Sequence, residues 1–449
     1  MTFSQLLQKN IAFISLGCDK NRVDLENIIG QVNAVGFNIT QINQANIVVI
    51  NTCSFILDAR KESIENILEM ANLKNNGRLE KIIVTGCLNQ MGYEDLQTSL
   101  PEVDLFIKIK DNENFVHLLA NLYNVSIPSD FSLLLKNQFR VLTTPKHYAY
   151  LKISDGCNNF CSYCTIPYIR GRFKSEPIEK LVSEAKILAD GGVTEIILVA
   201  QDVTRYGEDI YKEKSLVKLI KELSKIEKIK WIRLLYCYPK QINDDLINEI
   251  ATNPKVCKYI DLPFQHIETD ILKAMNRKET KEEIIDLINK LKTKIPDVAI
   301  RSTFILGFPG ETEQHFNALC EFISTYKLNN VGFFKYSKEE GTLAAKMKNQ
   351  IPQKIKNSRL KTISQLQFKC VIENANKVLN KTFEVVVDSI QEDMAICRSQ
   401  YLCPEVDGVI MVKYNNIMQV GQYYNIKINK IKNYDLIGEL LWIYQIDYH

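Results

Sequence analysis

The chain has 449 residues, of which 46% are hydrophobic and 24% charged, with a formal net charge of +3. This length exceeds what one hydrophobic core organises, so two or three domains are expected, and the composition excludes a disordered or fibrous chain. No apolar run reaches membrane-spanning length and the first 13 residues lack the features of a secretory signal, so a cytoplasmic chain with no membrane partner is expected. In that setting twelve cysteines read as metal ligands, reactive thiols or core residues rather than as a disulfide framework.

In chain order, the first segment alternates apolar runs with helical stretches. Runs at 11–16, 47–50 and 81–84 are strand candidates and 58–73 is helical, which together imply an open parallel α/β sheet. Residues 128–137 read as an exit linker, giving a first domain over 1–137. From residue 148 the alternation restarts with six strand candidates, at 148–153, 195–200, 231–236, 259–264, 299–306 and 330–336. Helices separate them, and the one at 176–190 stops at Gly191 and Gly192. Six such units suit a partial (βα)6 TIM-like barrel over 138–375, with its chemistry at the C-terminal strand ends. After a polar helix at 353–379 the pattern becomes all-β. Short strands at 383–387, 394–398, 408–412 and 423–431 predict a small closed barrel over 376–449.

Cys157, Cys161 and Cys164 form a CxxxCxxC pattern in LKISDGCNNFCSYC, directly after the first barrel strand. Three thiolates hold three irons of a 4Fe-4S cubane and leave the fourth iron open, where S-adenosylmethionine can chelate and be reduced to a carbon radical. The alternatives are a zinc site or core thiols. A structural zinc site needs a fourth ligand close by, and the nearest candidates are His147 and Cys237. Cys18, Cys53 and Cys87 end three successive strands, in IAFISLGC, NIVVINTC and KIIVTGC. Parallel strand ends converge on one crevice, so these thiolates are candidates for a second cluster with an open iron able to carry sulfur, the alternative being three buried small hydrophobes. The remaining cysteines, including Cys237, Cys257 and Cys320, lack ligand spacing and read as core residues. His266 and His315 show no acid-base partner in the sequence and read as structural.

With these residues in place the chain resembles the methylthiotransferases over essentially its whole length. That family combines a three-cysteine domain, a radical S-adenosylmethionine barrel and a TRAM domain. SLGCDKNRVDLEN, NTCSFILDARKES, AQDVTRYG, LPFQH, YSKEEGT and CRSQYLCPEVDGVI look like the RimO-type branch, although Asp19 and Leu25 replace residues usual in the first of these motifs. The resemblance implies two 4Fe-4S clusters, ligated by the six cysteines named above, and two S-adenosylmethionine molecules, one the methyl donor and one the radical source. It also implies methylthiolation at the β-carbon of an aspartate in a small-subunit ribosomal protein, a reducing partner such as flavodoxin or ferredoxin, and a sulfur donor of unknown identity.

Candidate cofactor contacts are Gln201 and Asp202 at the second barrel strand end, Gln265 at the fourth, and Arg301 in the fifth, where a guanidinium would meet the cofactor carboxylate. Tyr163 resembles the family's aromatic position near adenine, and GFPGE at 307–311 its close-approach turn. Residues 376–449 carry seven Lys plus Arg against nine Asp plus Glu. A mildly acidic module suits a basic ribosomal protein better than RNA, unless its charges are only a solvated face. The competing readings are methylthiolation of N6-isopentenyladenosine in transfer RNA, as in the MiaB branch, and a non-enzymatic iron-sulfur carrier.

Overall fold

The computed structural model describes residues 1–90, 93–136 and 140–441. The N-terminal sheet contains β1 (Asn10–Ser15), β2 (Asn38–Ile39), β3 (Ile47–Thr52), β4 (Lys81–Gly86) and β5 (Leu105–Phe106), all parallel, in the order β2-β1-β3-β4-β5. Helices cover both faces, which is why β3 is an unbroken apolar run rather than an alternation. Ile28, Val32 and Leu119 close one face; Ile67, Met70 and Ala71 close the other. The edge strands β2 and β5 are two residues each, too short to leave a periodic signal.

Where an exit linker was expected, Ser129–Lys136 is a helix. Its Phe131 ring meets Phe3 edge-on at 4.9 Å, so an apolar anchor holds this stretch on the N-terminal core. The expected boundary at residue 137 lies outside the described residues, as do 442–449 of the expected C-terminal module.

The central domain contains β6 (Tyr148–Lys152), a short antiparallel pair β7 (Ser154–Asp155) and β8 (Lys174–Ser175), then β9 (Glu195–Val199), β10 (Trp231–Leu234), β11 (Val256–Asp261), β12 (Ala299–Leu306) and β13 (Asn330–Lys335). Six of them form one parallel sheet in the order β13-β12-β11-β10-β9-β6, the partial barrel the sequence predicts. The fourth strand ends at Asp261 rather than 264, since Pro263 has no N–H for the ladder. Alternation is clean. Ala149, Leu151, Ile196 and Leu198 pack outward on helices, while Tyr148, Tyr150, Ile197, Val199, Trp231 and Tyr259 line the lumen.

After the helix Gln353–Asn376 come β14 (Thr382–Gln391), β15 (Met394–Ser399), β16 (Ile410–Lys413), β17 (Tyr423–Lys432) and β18 (Asp435–Leu440), closed as β14-β15-β16-β18-β17. The fifth strand, absent from the sequence reading, returns through a two-residue turn with Asn433 at φ +57°. This barrel seals the lumen of the central one, where Val386 and Cys403 join the tyrosine cluster. At the seam the fully buried Glu195 binds Arg233 at 2.8 Å and also pairs with Arg398; Arg398 reaches Asp388 at 2.9 Å, and Asp388 reaches His147 at 2.7 Å. Glu384 pairs with Lys230, Glu405 with Arg22, and Asp407 lies 3.9 Å from Arg301. Acidic residues of the module are therefore engaged by the chain's own domains, and its net charge is a poor guide to its partner. No helix among the described residues is long and apolar enough to cross a membrane.

Replacing Glu195 by alanine leaves the buried Arg233 guanidinium without a carboxylate and Arg398 with Asp388 alone, a loss on the order of 3–5 kcal/mol. The expected result is a lower Tm with faster hydrogen exchange in β15. Burial acts to raise the Glu195 pKa, but Arg398 and Arg233 hold it below the ordinary carboxylate value. Its stabilisation is thus present above the unfolded-state value and lost as pH falls through the folded one. The Tm gap between wild type and E195A should therefore narrow on acidification.

Candidate functional site

Each N-terminal cysteine sits where a parallel strand ends. Cys18 precedes the helix Asp19–Ala34, while Cys53 and Cys87 directly follow β3 and β4. A Cβ placed on Gly17 would lie 3.1 Å from the Cys53 Sγ, and the Cys87 thiol donates to Asn21 Oδ1 at 3.4 Å. Asn21 also donates to the Thr52 carbonyl at 2.9 Å, so one amide spans the crevice. The Cys53 backbone is clamped by Ser63, whose Oγ accepts from its N–H at 3.0 Å and donates to its carbonyl at 2.8 Å. Three strand ends thus bring Cys18, Cys53 and Cys87 together.

The CxxxCxxC loop is fixed at its base and along its length. Pairing of β7 with β8 closes it, and the Cys157 N–H donates to Gly171 O at 3.1 Å. Gly156 has φ +73° and a Cβ there would meet the Arg172 carbonyl at 2.2 Å, so only glycine fits. Ser162, between Cys161 and Tyr163, donates through its N–H to Met275 O at 2.9 Å and through its hydroxyl to Ala274 O at 2.8 Å, while its carbonyl accepts from Ala344 at 2.8 Å. Gly17 and Gly86, which precede Cys18 and Cys87, also have positive φ. A glycine before the cysteine is a signal present in the sequence as SLGC, TGC and DGC.

Burial pushes the thiol of Cys157 up to about 11 and that of Cys87 up to about 12, and raises Cys53 and Cys164 as well. Such thiols are poor free nucleophiles; bound iron would take the thiolate form and release protons. Among the described residues no three His, Cys, Asp or Glu side chains converge tightly enough for a single metal ion. A cubane spreads its ligands over separate irons, so three thiols that would hold one need not converge on a single point.

Arg170, which sequence reasoning missed, joins the two sets. It lies six residues beyond Cys164, with its side chain 2% exposed. One arm contacts Asp24 at 2.6 Å and Asp155 at 3.0 Å; the other hydrogen-bonds to Asn21 and reaches the Cys87 Sγ at 3.6 Å. Lys152 pairs with the same two aspartates. Burial acts to raise the Asp155 pKa, but Lys152 and Arg170 outweigh it and hold the carboxyl well below its ordinary range. From Cys87, contacts therefore run through Arg170 to Asp155, two residues before Cys157.

The other predicted residues lie in the central domain, in its strands or in the loops that follow them. Gln201 donates to Asp155 Oδ1 at 3.0 Å, and its Oε1 is buried without a partner. Asp202 is buried and accepts from Asn159 at 2.9 Å; burial raises its pKa. Tyr163 packs edge-on to Phe308 at 6.5 Å. Gln265 has φ +70° and bonds through its backbone to Thr303 and Ile305. Arg301 is paired with Asp261 at 2.8 Å, so a cofactor carboxylate would have to share it. In GFPGE, Glu311 turns inward, accepts from Gly307 N–H at 2.9 Å and pairs with Arg359 at 2.5 Å. The histidines do have carboxylate neighbours, contrary to the sequence reading: His266 lies 3.6 Å from Glu311 and His315 3.1 Å from Asp270. Tertiary packing supplies both contacts.

Family models match three stretches: the radical SAM superfamily over residues 151–323, the uncharacterized protein family UPF0004 over 10–108, and the TRAM domain over 381–441. Among solved structures, the radical S-adenosylmethionine methyltransferase TsrM from Kitasatospora setae, with cobalamin and a [4Fe-4S] cluster bound, aligns with TM-score 0.51 at 13% identity, covering 73% of this chain and 75% of that one. The cobalamin-dependent S-adenosylmethionine radical enzyme OxsB aligns with TM-score 0.50 at 12% identity, over 82% of this chain and 57% of that one. At such identity the likeness is one of fold. The chain is a radical SAM enzyme, a class that carries a 4Fe-4S cluster and S-adenosylmethionine.

Curated relatives narrow this. The ribosomal protein uS12 methylthiotransferase RimO of Clostridium tetani is 45% identical over 430 residues, covering 95% of this chain and 96% of the relative. That of Clostridium novyi is 45% identical over 432 residues, with 95% and 97% covered. The chain belongs to the RimO family of radical SAM methylthiotransferases.

Replacing Arg170 by methionine leaves Asp24, Asp155 and Lys152 with an uncompensated buried charge, a cost on the order of 3–5 kcal/mol. A lower Tm and faster hydrogen exchange in the helix Asp19–Ala34 are expected. Unchanged exchange in that helix would mean that Arg170 does not couple the domains.

Proposed function

We propose that this chain methylthiolates the β-carbon of an aspartate in ribosomal protein uS12, using two 4Fe-4S clusters held by Cys157, Cys161 and Cys164 and by Cys18, Cys53 and Cys87. The observation that carries this reading is that Arg170 bridges the CxxxCxxC loop and the strand-end thiol Cys87 within one chain. When bound, the barrel cluster supplies an electron to the sulfonium of S-adenosylmethionine and the N-terminal cluster supplies an open iron for sulfur. The protein's own part is placement. Arg170, Asn21 and Asp155 set the distance between the loops. The C-terminal barrel, seated over the lumen tyrosines, keeps water out of that end of the central barrel.

Gln201, with an unspent buried carbonyl, Asp202, Gln265, Tyr163 and Arg301 are the side chains we assign to the S-adenosylmethionine pocket. Arg301 would take the cofactor carboxylate only by sharing its bond to Asp261. The reaction belongs in the cytoplasm, where uS12 is made, and needs a flavodoxin- or ferredoxin-type reductant and a sulfur donor.

The test is an anaerobic reaction of the reconstituted protein with S-adenosylmethionine, reductant, sulfide and uS12, read by mass spectrometry. One methylthio group on the aspartate, with none on transfer RNA in a matched reaction, is the expected result. Modification of transfer RNA alone would overturn it. In the same assay C161A should abolish 5′-deoxyadenosine formation, whereas C53A should retain it and lose methylthiolation by at least about 100-fold, roughly 2.7 kcal/mol.

A further inference from the structure

Chemistry at an aspartate β-carbon needs the adjacent carboxylate fixed, and a cation close to the cysteine sets is the physical means. Most cations there are already committed. Arg170 and Lys152 face Asp24 and Asp155; Arg205 faces Glu208 at 2.8 Å and Asp202 at 3.5 Å. Arg277 pairs with Glu279 at 2.5 Å, and Arg301 with Asp261 at 2.8 Å. Arg172 is exposed and lies over the Phe160 ring at 4.6 Å. Lys20 is different. It is 6% exposed, stands two residues from Cys18, and forms no ion pair with any carboxylate among the described residues; its Nζ sits 3.3 Å from the centroid of the Tyr236 ring.

The platform beneath that ammonium is held at some conformational cost. Tyr236, just beyond the C-terminal end of β10, has φ +60°, a region that bulky residues rarely adopt. Its N–H donates to Asp261 Oδ2 at 2.9 Å, and its hydroxyl donates to Asp19 Oδ2 at 3.0 Å. The ring therefore spans from the barrel mouth to the first turn of the helix that follows Cys18. A ring face compensates a buried ammonium on one side only, leaving its other hydrogens for an anion. The Tyr150 hydroxyl, close enough to Asp19 to feel its charge, is also buried and without a partner, a second unspent donor in the same region.

We propose that Lys20, seated on the Tyr236 ring two residues beyond Cys18, receives the carboxylate of the aspartate to be modified. This substrate-positioning role rests on the uS12 reading given above.

The test is a binding cycle with the cluster-loaded protein, using fluorescently labelled uS12 and the same protein with the target aspartate replaced by asparagine. For wild type the asparagine form should bind about tenfold more weakly, the size of one charge-assisted contact. Lys20→Met should weaken binding of the aspartate form by about the same factor and no longer distinguish the two forms. Equal affinity of wild type and K20M for the aspartate form, or two losses that multiply, would overturn the role. Should K20M fail to retain iron, Lys20→Arg carries the test: it must still prefer the aspartate form, and equal binding of both forms overturns the proposal. A wild-type protein that neither binds nor modifies uS12 defeats the parent reading instead, an outcome distinct from uS12 binding that ignores residue 20.

Discussion

The buried pairing of Arg170 with Asp24 and Asp155 is the constraint on which the remainder depends. Asp24 belongs to the helix that follows Cys18, Asp155 to the strand pair that opens the CxxxCxxC loop, and Arg170 to that loop's return. Two cations, Arg170 and Lys152, meet two carboxylates, so the cluster is neutral as a unit and its burial is tolerable. A lysine at 170 could not hold both aspartates, Asn21 and the Cys87 sulfur from one planar fork. Because the same guanidinium touches both halves, the two three-thiol loops have a defined separation rather than one set by a linker.

Around that contact the fold divides the work between rigid and adaptable parts. Strand ends carry Cys53 and Cys87 with little freedom, and glycines with positive φ turn the chain sharply before Cys18, Cys87 and Cys157. Loop 156–173 has no regular core of its own, yet Met275, Ala274 and Ala344 fix its centre from outside. The C-terminal barrel packs on the lumen of the central one through Val386, Cys403 and the Glu195–Arg398 pair. A buried ion pair there favours one docking geometry over others more than it adds stability.

The placement of Cys18, Cys53 and Cys87 after successive strands was legible before any fold was known, because a residue at a parallel strand end is a local property that apolar runs reveal. The six barrel strands and the small terminal barrel were legible for the same reason. What escaped was non-local. Arg170 and Asp24 are 146 positions apart and neither shows a periodic signal, so their meeting follows only from packing. The helix Ser129–Lys136 hid because its anchoring partner, Phe3, is more than a hundred residues away. The charge of residues 376–449 was read as facing a partner, whereas Glu384, Asp388, Glu405 and Asp407 face Lys230, His147, Arg22 and Arg301. Net charge records how many groups there are and not where they point.

The proposal is that two cubane sites lie on either side of Arg170. Its most direct test is the iron and sulfide content of anaerobically reconstituted protein, combined with the electron paramagnetic resonance spectrum after reduction. About eight irons per chain are expected, falling to about four in either C18A/C53A/C87A or C157A/C161A/C164A, with spin–spin broadening in wild type that both variants lose. About four irons in wild type, unchanged when Cys18, Cys53 and Cys87 are replaced, would contradict it.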